Sequence, residues 1–482
     1  MSNLLANLGV AAGALDAFTQ VLQVTQNNVA NASTPGYARQ TQTLNALPFN
    51  ATFGDAGGVK AGVIESARDE YAETAVRQQN VLLGAASQNV SSLTSLQTIF
   101  DISGNTGIPY ALNNLLQSFS AWGQSPTDPN ARQLVIDRAT DLAGAFNEAA
   151  SGLGTVAQDA EQQIGITVTE INQLVGQLQQ YNTQIMGGDN NDAGLDAQVH
   201  STLEQLSQYG DIGASQQENG SWTVMLGQTQ LLVGAQQYQI SNDMEEPSNP
   251  PPTNANAPPL AVIRGADGTD ITSTITTGQL GALLNFRNAV LPSYIGDAYQ
   301  QGGLNIMAQQ LADRVNGLLT AGNVSDGPPA QTGTALFSYD QTNATNVAQS
   351  LTVNSATTAD QLAAIDPGPP EVSNGVPLAL SALANPQSAA DEIDGVSYSS
   401  YYGNMASNVG SLLSEATNEQ QVQQSAVAQA QNLRQQSSGV DLDQEAMTLV
   451  GFQRAYDANS RLISVLDQVT EDAVNIISVT TG

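Results

Sequence analysis

The 482-residue chain is predicted to be mainly α-helical with small β-rich insertions, its N- and C-terminal helices paired as an antiparallel coiled coil. Three observations predict this. Apolar residues recur at three-four spacing at both ends of the chain, and the same rhythm fills long stretches between them. Only residues 211–276 turn to β-branched and aromatic composition with glycines at turn spacing.

At the N-terminus, Leu4, Leu8, Ala11, Leu15, Phe18, Leu22, Thr25 and Val29 stand at alternating steps of four and three, and all but Thr25 are apolar. The stretch "QNNVANASTPGYARQ" (26–40), with Asn28 near its start, then stops the helix. Asn31 is placed for a left-handed cap, and Thr34 is held extended by the proline that follows. Pro35 and Gly36 suit the two central positions of a type II turn, which delivers the chain to Tyr37 and Arg39. A helix this short does not sustain itself in water, so it needs a partner. The other end offers one: Leu442, Glu445, Leu449, Phe452, Tyr456, Asn459, Ile463, Leu466, Thr470, Ala473 and Ile477 keep the same rhythm. Two matched seams at opposite ends predict that the termini meet; the alternative is two ordinary amphipathic helices on one core.

Between the ends, residues 70–100 and 109–122 are amphipathic, and "SPTDPNARQLV" starts a further helix with Asp128 as N-cap and Pro129 in the first turn. Its seam through Leu153, Val156, Ala160, Ile164, Ile171, Leu178 and Ile185 ends at Gly187-Gly188. Strands are predicted from 211 and again over 260–276, separated by a proline-rich loop at 245–259. Helix returns at 279–288, 292–320 and 396–436. The expected units are a terminal coiled-coil domain (1–45 plus 436–482), a long helical-bundle domain (46–210, 277–320 and 396–435), a small β-rich insertion (211–276) and a loop-rich insertion (321–395).

Composition excludes several function classes. Acidic residues outnumber basic ones 44 to 12, the formal net charge is −32, and Lys60 is the single lysine. A nucleic-acid interface needs clustered cations, and anionic membrane selects for them too, so neither partner is expected. Cysteine is absent. The first basic residue is Arg39, which leaves no cationic leader, and no apolar run nears the ~20 residues of a membrane helix. Export, if it occurs, is expected without a cleaved signal peptide.

No catalytic, cofactor-binding or metal-ligating set emerges, and the chain is not expected to be an enzyme. His200 is the only histidine and has no G-x-S-x-G turn to serve, so it reads as structural. "DNNDAGLD" (189–196) fails as a calcium loop, with Ala193 in the fifth place and His200 in the twelfth, and reads as a helix-connecting turn. "DEID" (391–394) reads as a capping cluster at a helix start, and Trp122 and Trp222 as core.

The end motifs carry a resemblance. "NNVANASTPGYARQ" is similar to the N-terminal signature of the axial proteins of the bacterial flagellum, and "GYARQ" resembles the hook-associated protein 1 family within that group. "SPTDPNARQLVIDRATDLAGAF", "TTGQLGALLNFRNAVLPSY" with "LADRVNGLL", and "SGVDLDQEAMTLVGFQRAYDANSRLISVLD" resemble three further segments of that family, in its order. The segment Leu195–His200 departs from the family pattern by lacking its basic residue. Thirteen residues separate Leu336-Phe337 from Leu351-Thr352-Val353, where larger members carry a β-rich outer domain; that domain is expected to be reduced or absent.

The resemblance implies an extracellular structural subunit of the hook–filament junction, needed for filament assembly and exported through the flagellar apparatus. It implies no cofactor. Its implied partners are further copies of itself in an annular or helical array, the hook protein, the filament-side junction protein and an export chaperone. The turn motif Asn28, Asn31, Thr34, Pro35, Gly36, Tyr37 and Arg39 would lead from an inner coiled coil to an outer domain. The seam Leu4, Leu8, Leu15, Phe18, Leu22, Val29, Leu442, Leu449, Phe452, Tyr456, Ile463, Leu466 and Ile477 would be the assembly element. A hook or distal-rod axial protein is the nearest alternative, which "GYARQ" and the long helical stretch at 70–186 oppose. A secreted adhesin is the alternative of another class, and neither repeated ligand loops nor a secretion leader supports it.

Overall fold

The structure, a computed structural model, describes residues 2–50, 55–100, 106–189, 192–248, 251–254 and 256–480. Helices dominate them: α1 (Ser2–Ala30), α2 (Glu70–Gln97), α3 (Gly107–Gln124), α4 (Pro129–Gln184), α5 (Ala193–Ser207) and α6 (Gly278–Asn285) in the first part. The second part holds α7 (Pro292–Ile295), α8 (Gly303–Ala321), α9 (Val347–Ser350), α10 (Gly375–Ala382), α11 (Tyr398–Ser438) and α12 (Leu442–Thr480). Local chemistry sets the starts. Asp69, Asp128 and Asp192 each accept backbone N–H groups from the first turn of α2, α4 and α5. At 56 residues α4 is roughly 84 Å long and serves as the spine of the body.

Two apolar cores lie along that spine. The N-terminal half of α4 packs with α3, α8, α10 and α11 around Phe119, Trp122, Phe146 and Tyr398. Its C-terminal half packs with α5, α6 and a four-stranded antiparallel meander around Ile171, Leu178, Leu203 and Trp222. The meander runs Ile212–Gln216, Trp222–Leu226, Thr229–Val233 and Gln236–Gln237, and burial alternates along its second strand as a half-buried sheet requires. A second pair, Ser241–Glu245 with Leu260–Arg264, flanks the proline-rich loop.

Three expectations are corrected. Of 260–276 only Leu260–Arg264 is strand, since the chain then turns through a short 3₁₀ segment at Thr272–Thr274. The helix expected over 292–320 is broken, because Gly296 (φ 87°) and Gly302 (φ 83°) meet backbone to backbone: a Cβ on Gly302 would lie 2.2 Å from the Gly296 nitrogen. "DEID" does not cap the long helix that follows. Ser397 does, and Asp391 instead pairs with Arg314 at 2.7 Å. At the expected short connection, Phe337 pairs with Val353 across a two-residue ladder, and Val347, Ala348 and Leu351 return between them into the first core.

The termini meet, as the seams predict. The rings of Phe18 and Phe452 lie 6.0 Å apart, and the Asn459 side chain donates to the Ala11 carbonyl at 2.7 Å, so α12 descends as α1 rises. α1 also has a second face, one residue back from the seam and about 100° around the helix, which the sequence reading did not assign. Val10, Ala17, Val21 and Asn28 face an antiparallel ribbon, Gln40–Ala46 paired with Val59–Ser66, that runs back along the helix. Neither apolar core includes a residue of α1, the ribbon or α12. Among the described residues no helix is long and apolar enough to cross a membrane.

Candidate functional site at the junction of the terminal unit

The chain passes between the terminal unit and the helical body at two places, 66–69 and 438–441, and the Thr34–Tyr37 turn is seated beside both. Tyr37 N–H donates to the Thr34 carbonyl at 3.1 Å, and Gly36 has φ 74°, which are the marks of a type II turn. Gly36 is required twice over. Its backbone presses on α5 so closely that a Cβ would sit 2.3 Å from the Ala197 carbonyl oxygen and 2.9 Å from the Ser201 nitrogen. Asn31 does not take the left-handed conformation expected of it. The α1 ladder continues into its N–H, and its side-chain amide bonds back to Asn27 while accepting from Thr34, so side chains close the helix instead.

Asn28 is the clasp between α1 and the ribbon. Buried, it donates to the Gln40 carbonyl and accepts from the Gln40 N–H, both at 2.8 Å, as a neighbouring strand would. It also accepts from the Tyr37 hydroxyl at 2.9 Å. Burial, and then the Glu445 carboxylate, push the Tyr37 hydroxyl up to about 12, so it remains a donor. Arg39 ties in the other terminus. Its side chain reaches the buried Glu445 of α12 at 2.6 Å, and its N–H donates to the Ser438 carbonyl at 2.9 Å.

On the body side, Arg68 and Arg434 share the buried carboxylate of Glu73, one oxygen each, at 2.6 and 3.1 Å. Arg68 also binds Asp196 of α5 and donates to the Gly36 carbonyl, both at 2.7 Å, while Arg434 binds Glu204 at 2.6 Å. Four of twelve basic residues (Arg39, Arg68, Arg77 and Arg434) thus stand at one joint of a chain with 44 acids. Such networks add little net stability and much geometric definition, because few arrangements satisfy all partners. His200 sits against it, edge-on to Trp222 and buried. Burial, with Arg68, Arg77 and Arg434 nearby, lowers its pKa to about 2, so it is neutral. Its 3.5 and 3.6 Å approaches to Glu70 and Asp196 are too long for hydrogen bonds. Cavities of about 590 and 240 Å³ flank the turn, and both are lined by Pro35, Gly36 and Arg434.

The proposed seam residues divide. Leu4, Leu8, Leu15, Phe18 and Leu22 of α1, and Leu449, Phe452, Ile463 and Leu466 of α12, are half-buried at the spacing of a shared interface. Val29, Leu442 and Tyr456 are exposed, the first two standing at the ends of their helices. The side chain of Ile477 lies outside the described residues. Sequence reasoning missed Arg68, Glu73, Ser438 and Arg434; the scarcity of arginine in this chain was the signal that could have found them. No cluster of metal-ligating side chains stands among the described residues.

A helical body that carries, outside its cores, a separate unit built from both ends of the chain is the architecture of a structural subunit with a dedicated terminal element. The profile of the flagellar hook-associated protein FlgK helical domain matches residues 93–337, over half of the chain. Profiles of the flagella basal body rod protein and of the flagellar basal body rod FlgEFG protein C-terminal region match residues 8–37 and 431–476. The chain is 25% identical to flagellar hook-associated protein 1 of Bacillus subtilis, over 98% of this chain and 99% of that one. It is 22% identical to the protein of that name in Escherichia coli, over 99% and 100%. In fold it is similar to the flagellar hook junction protein FlgK from Burkholderia pseudomallei, with a TM-score of 0.62, 16% identity, and coverage of 74% of this chain and 99% of that one. The chain belongs to the flagellar hook-associated protein FlgK family, a family of structural flagellar proteins.

Proposed function

We propose that this protein is a subunit of the joint between hook and filament, exported from the cell and assembled on the distal end of the hook through its terminal unit. The observation that carries the reading is where apolar surface remains wet. Among the described residues, 13 of the 26 exposed large hydrophobics fall within residues 1–66 and 442–480, a unit that belongs to neither core. Exposed apolar surface concentrated on one element marks an interaction site. In this reading the neighbours are further copies, the hook protein on one side and the filament-side junction protein on the other, with an export chaperone covering the terminal faces beforehand. The half-buried α1–α12 seam and the turn motif then hold the terminal unit at a fixed angle to the body.

The test is addition of purified protein to isolated hooks, followed by electron microscopy of the hook ends. The full chain is expected to cap them, and a chain ending at Asp441 is expected to leave them bare. Capping by the shortened chain would remove the terminal unit from the mechanism.

A further inference from the structure

Five asparagines of this chain hold extended segments in the same way. Each stands on a helix and grips one residue in or next to a strand by both main-chain groups, its amide donating to the carbonyl and its oxygen accepting from the N–H. Asn28 of α1 holds Gln40, and Asn172 and Asn182 of α4 hold Ile240 and Trp222. Asn288, in the helical turn after α6, holds Ala261, and Asn316 of α8 holds Phe337. All ten bonds measure 2.7–3.1 Å. The carboxamide works because it carries the donor and acceptor of a peptide group.

Asn80 of α2 has the same chemistry and nothing to hold. It has no hydrogen-bond partner among the described residues, and it lines the cavity of about 590 Å³ beside the turn. Ser201 and Gln205 of α5 stand on the same wall, and Gln205 is exposed. The charged groups of the lining, Glu204 and Arg434, are already paired with each other at 2.6 Å. The cavity therefore presents no unpaired charge to select an ion, and no aromatic ring among its described lining residues on which a sugar or base would stack. Along α2 the wall runs from Asn80 to Gln88, roughly 12 Å, the reach of about four residues of extended chain.

We propose that this cavity binds an extended, uncharged stretch of polypeptide from a neighbouring subunit, with Asn80 gripping the N–H and carbonyl of one residue as the other five asparagines do within the chain. A backbone is what this lining reads, so the hook protein and a second copy can both supply it, and the test separates them. The inference rests on the reading of the chain as a junction subunit.

The full-length chain, with photoreactive p-benzoylphenylalanine in place of Gln205, is assembled on isolated hooks and irradiated, and the cross-linked peptides are located by mass spectrometry. The expected result is an adduct to one short run of consecutive residues, whose sequence tells hook protein from second copy. Adducts scattered over many segments, or the same adducts from the photoreactive group at the exposed Asn113 of α3, would overturn the site. N80D keeps the side-chain shape but replaces the donor with an acceptor. It should abolish the adduct at position 205 and weaken hook capping roughly tenfold, as loss of a backbone partner does. The body's unfolding midpoint should not move, since Asn80 has no partner within the described chain. N89D, on the same helix but outside the cavity lining, should leave adduct and capping unchanged. A full-yield adduct in N80D, or equal losses in N80D and N89D, would remove Asn80 from the grip. A parent chain that fails to cap hooks would sink the junction reading, and this occupant with it.

Discussion

At Gly36 two independent demands fall on one residue, a positive φ and a backbone-to-backbone approach to α5. Gly36→Ala incurs about 1–3 kcal/mol of backbone strain and, in addition, pushes the turn away from Ala197. The expected outcome is a folded body with a loosened terminal unit, read as faster amide exchange at Tyr37 and Ala38 while α4 is unchanged. His200 makes a second residue-scale prediction. Buried and neutral, it takes up a proton only near pH 2, whereas an unfolded chain does so near pH 6.5. Between those values the unfolded state binds more protons, so this contribution is fully present above about pH 6.5 and is lost as pH falls, at about 1.4 kcal/mol per unit. Urea unfolding followed by Trp222 fluorescence at pH 7 and 5.5 checks it. His200→Phe, which keeps an aromatic ring beside Trp222, should flatten the difference, and an unchanged pH response would place its cause elsewhere.

Among the elements, the ribbon depends most on a single side chain. Asn28→Ala leaves the N–H and carbonyl of Gln40 without their partner, at about 1–3 kcal/mol for each group that stays buried. The ribbon should then exchange its amides faster than α2, and equal rates would mean that strand pairing alone holds it. The ribbon is also where the sequence was least legible. "QTQTLNA" buries only Gln and Leu side chains against α1 and carries no strand-like apolar run, so nothing in its periodicity announces a sheet. On α1 the second stripe, with Ala17, Val21 and Asn28, looked like filler beside the larger residues of the first, because small residues bury completely without raising an apolar signal. By contrast α2, α4 and the α12 seam were legible, since caps and three-four spacing act locally. The arginine network was not, because Arg68, Asp196 and Arg434 come together only through the fold. The register of the pair adds one consequence: Thr470 lies opposite the start of α1, so the last turns of α12, roughly 15 Å, extend past that end of α1.

For the whole molecule, the decisive feature is that the terminal unit and the body are joined by polar contacts and share no core. Damage to one should therefore spare the other. Replacing Leu449 and Ile463 with Asp puts two charges into the half-buried seam and forfeits burial that is worth about 1.5–3 kcal/mol for each side chain when complete. α1 keeps its second face against the ribbon, but among the described residues α12 packs chiefly on α1, so the pair should separate. The body should not respond: Trp122 and Trp222 lie in separate cores formed wholly by residues 93–416, and their fluorescence should keep its native emission and unfolding midpoint. The double variant is thus expected to be soluble and folded through its body, and unable to cap isolated hooks. In cells, filament subunits would then escape into the medium instead of polymerising. Normal filaments from this variant would exclude the seam as the assembly element. Loss of both tryptophan signals would show instead that the cores need the termini, and that the terminal helices are part of one cooperative fold.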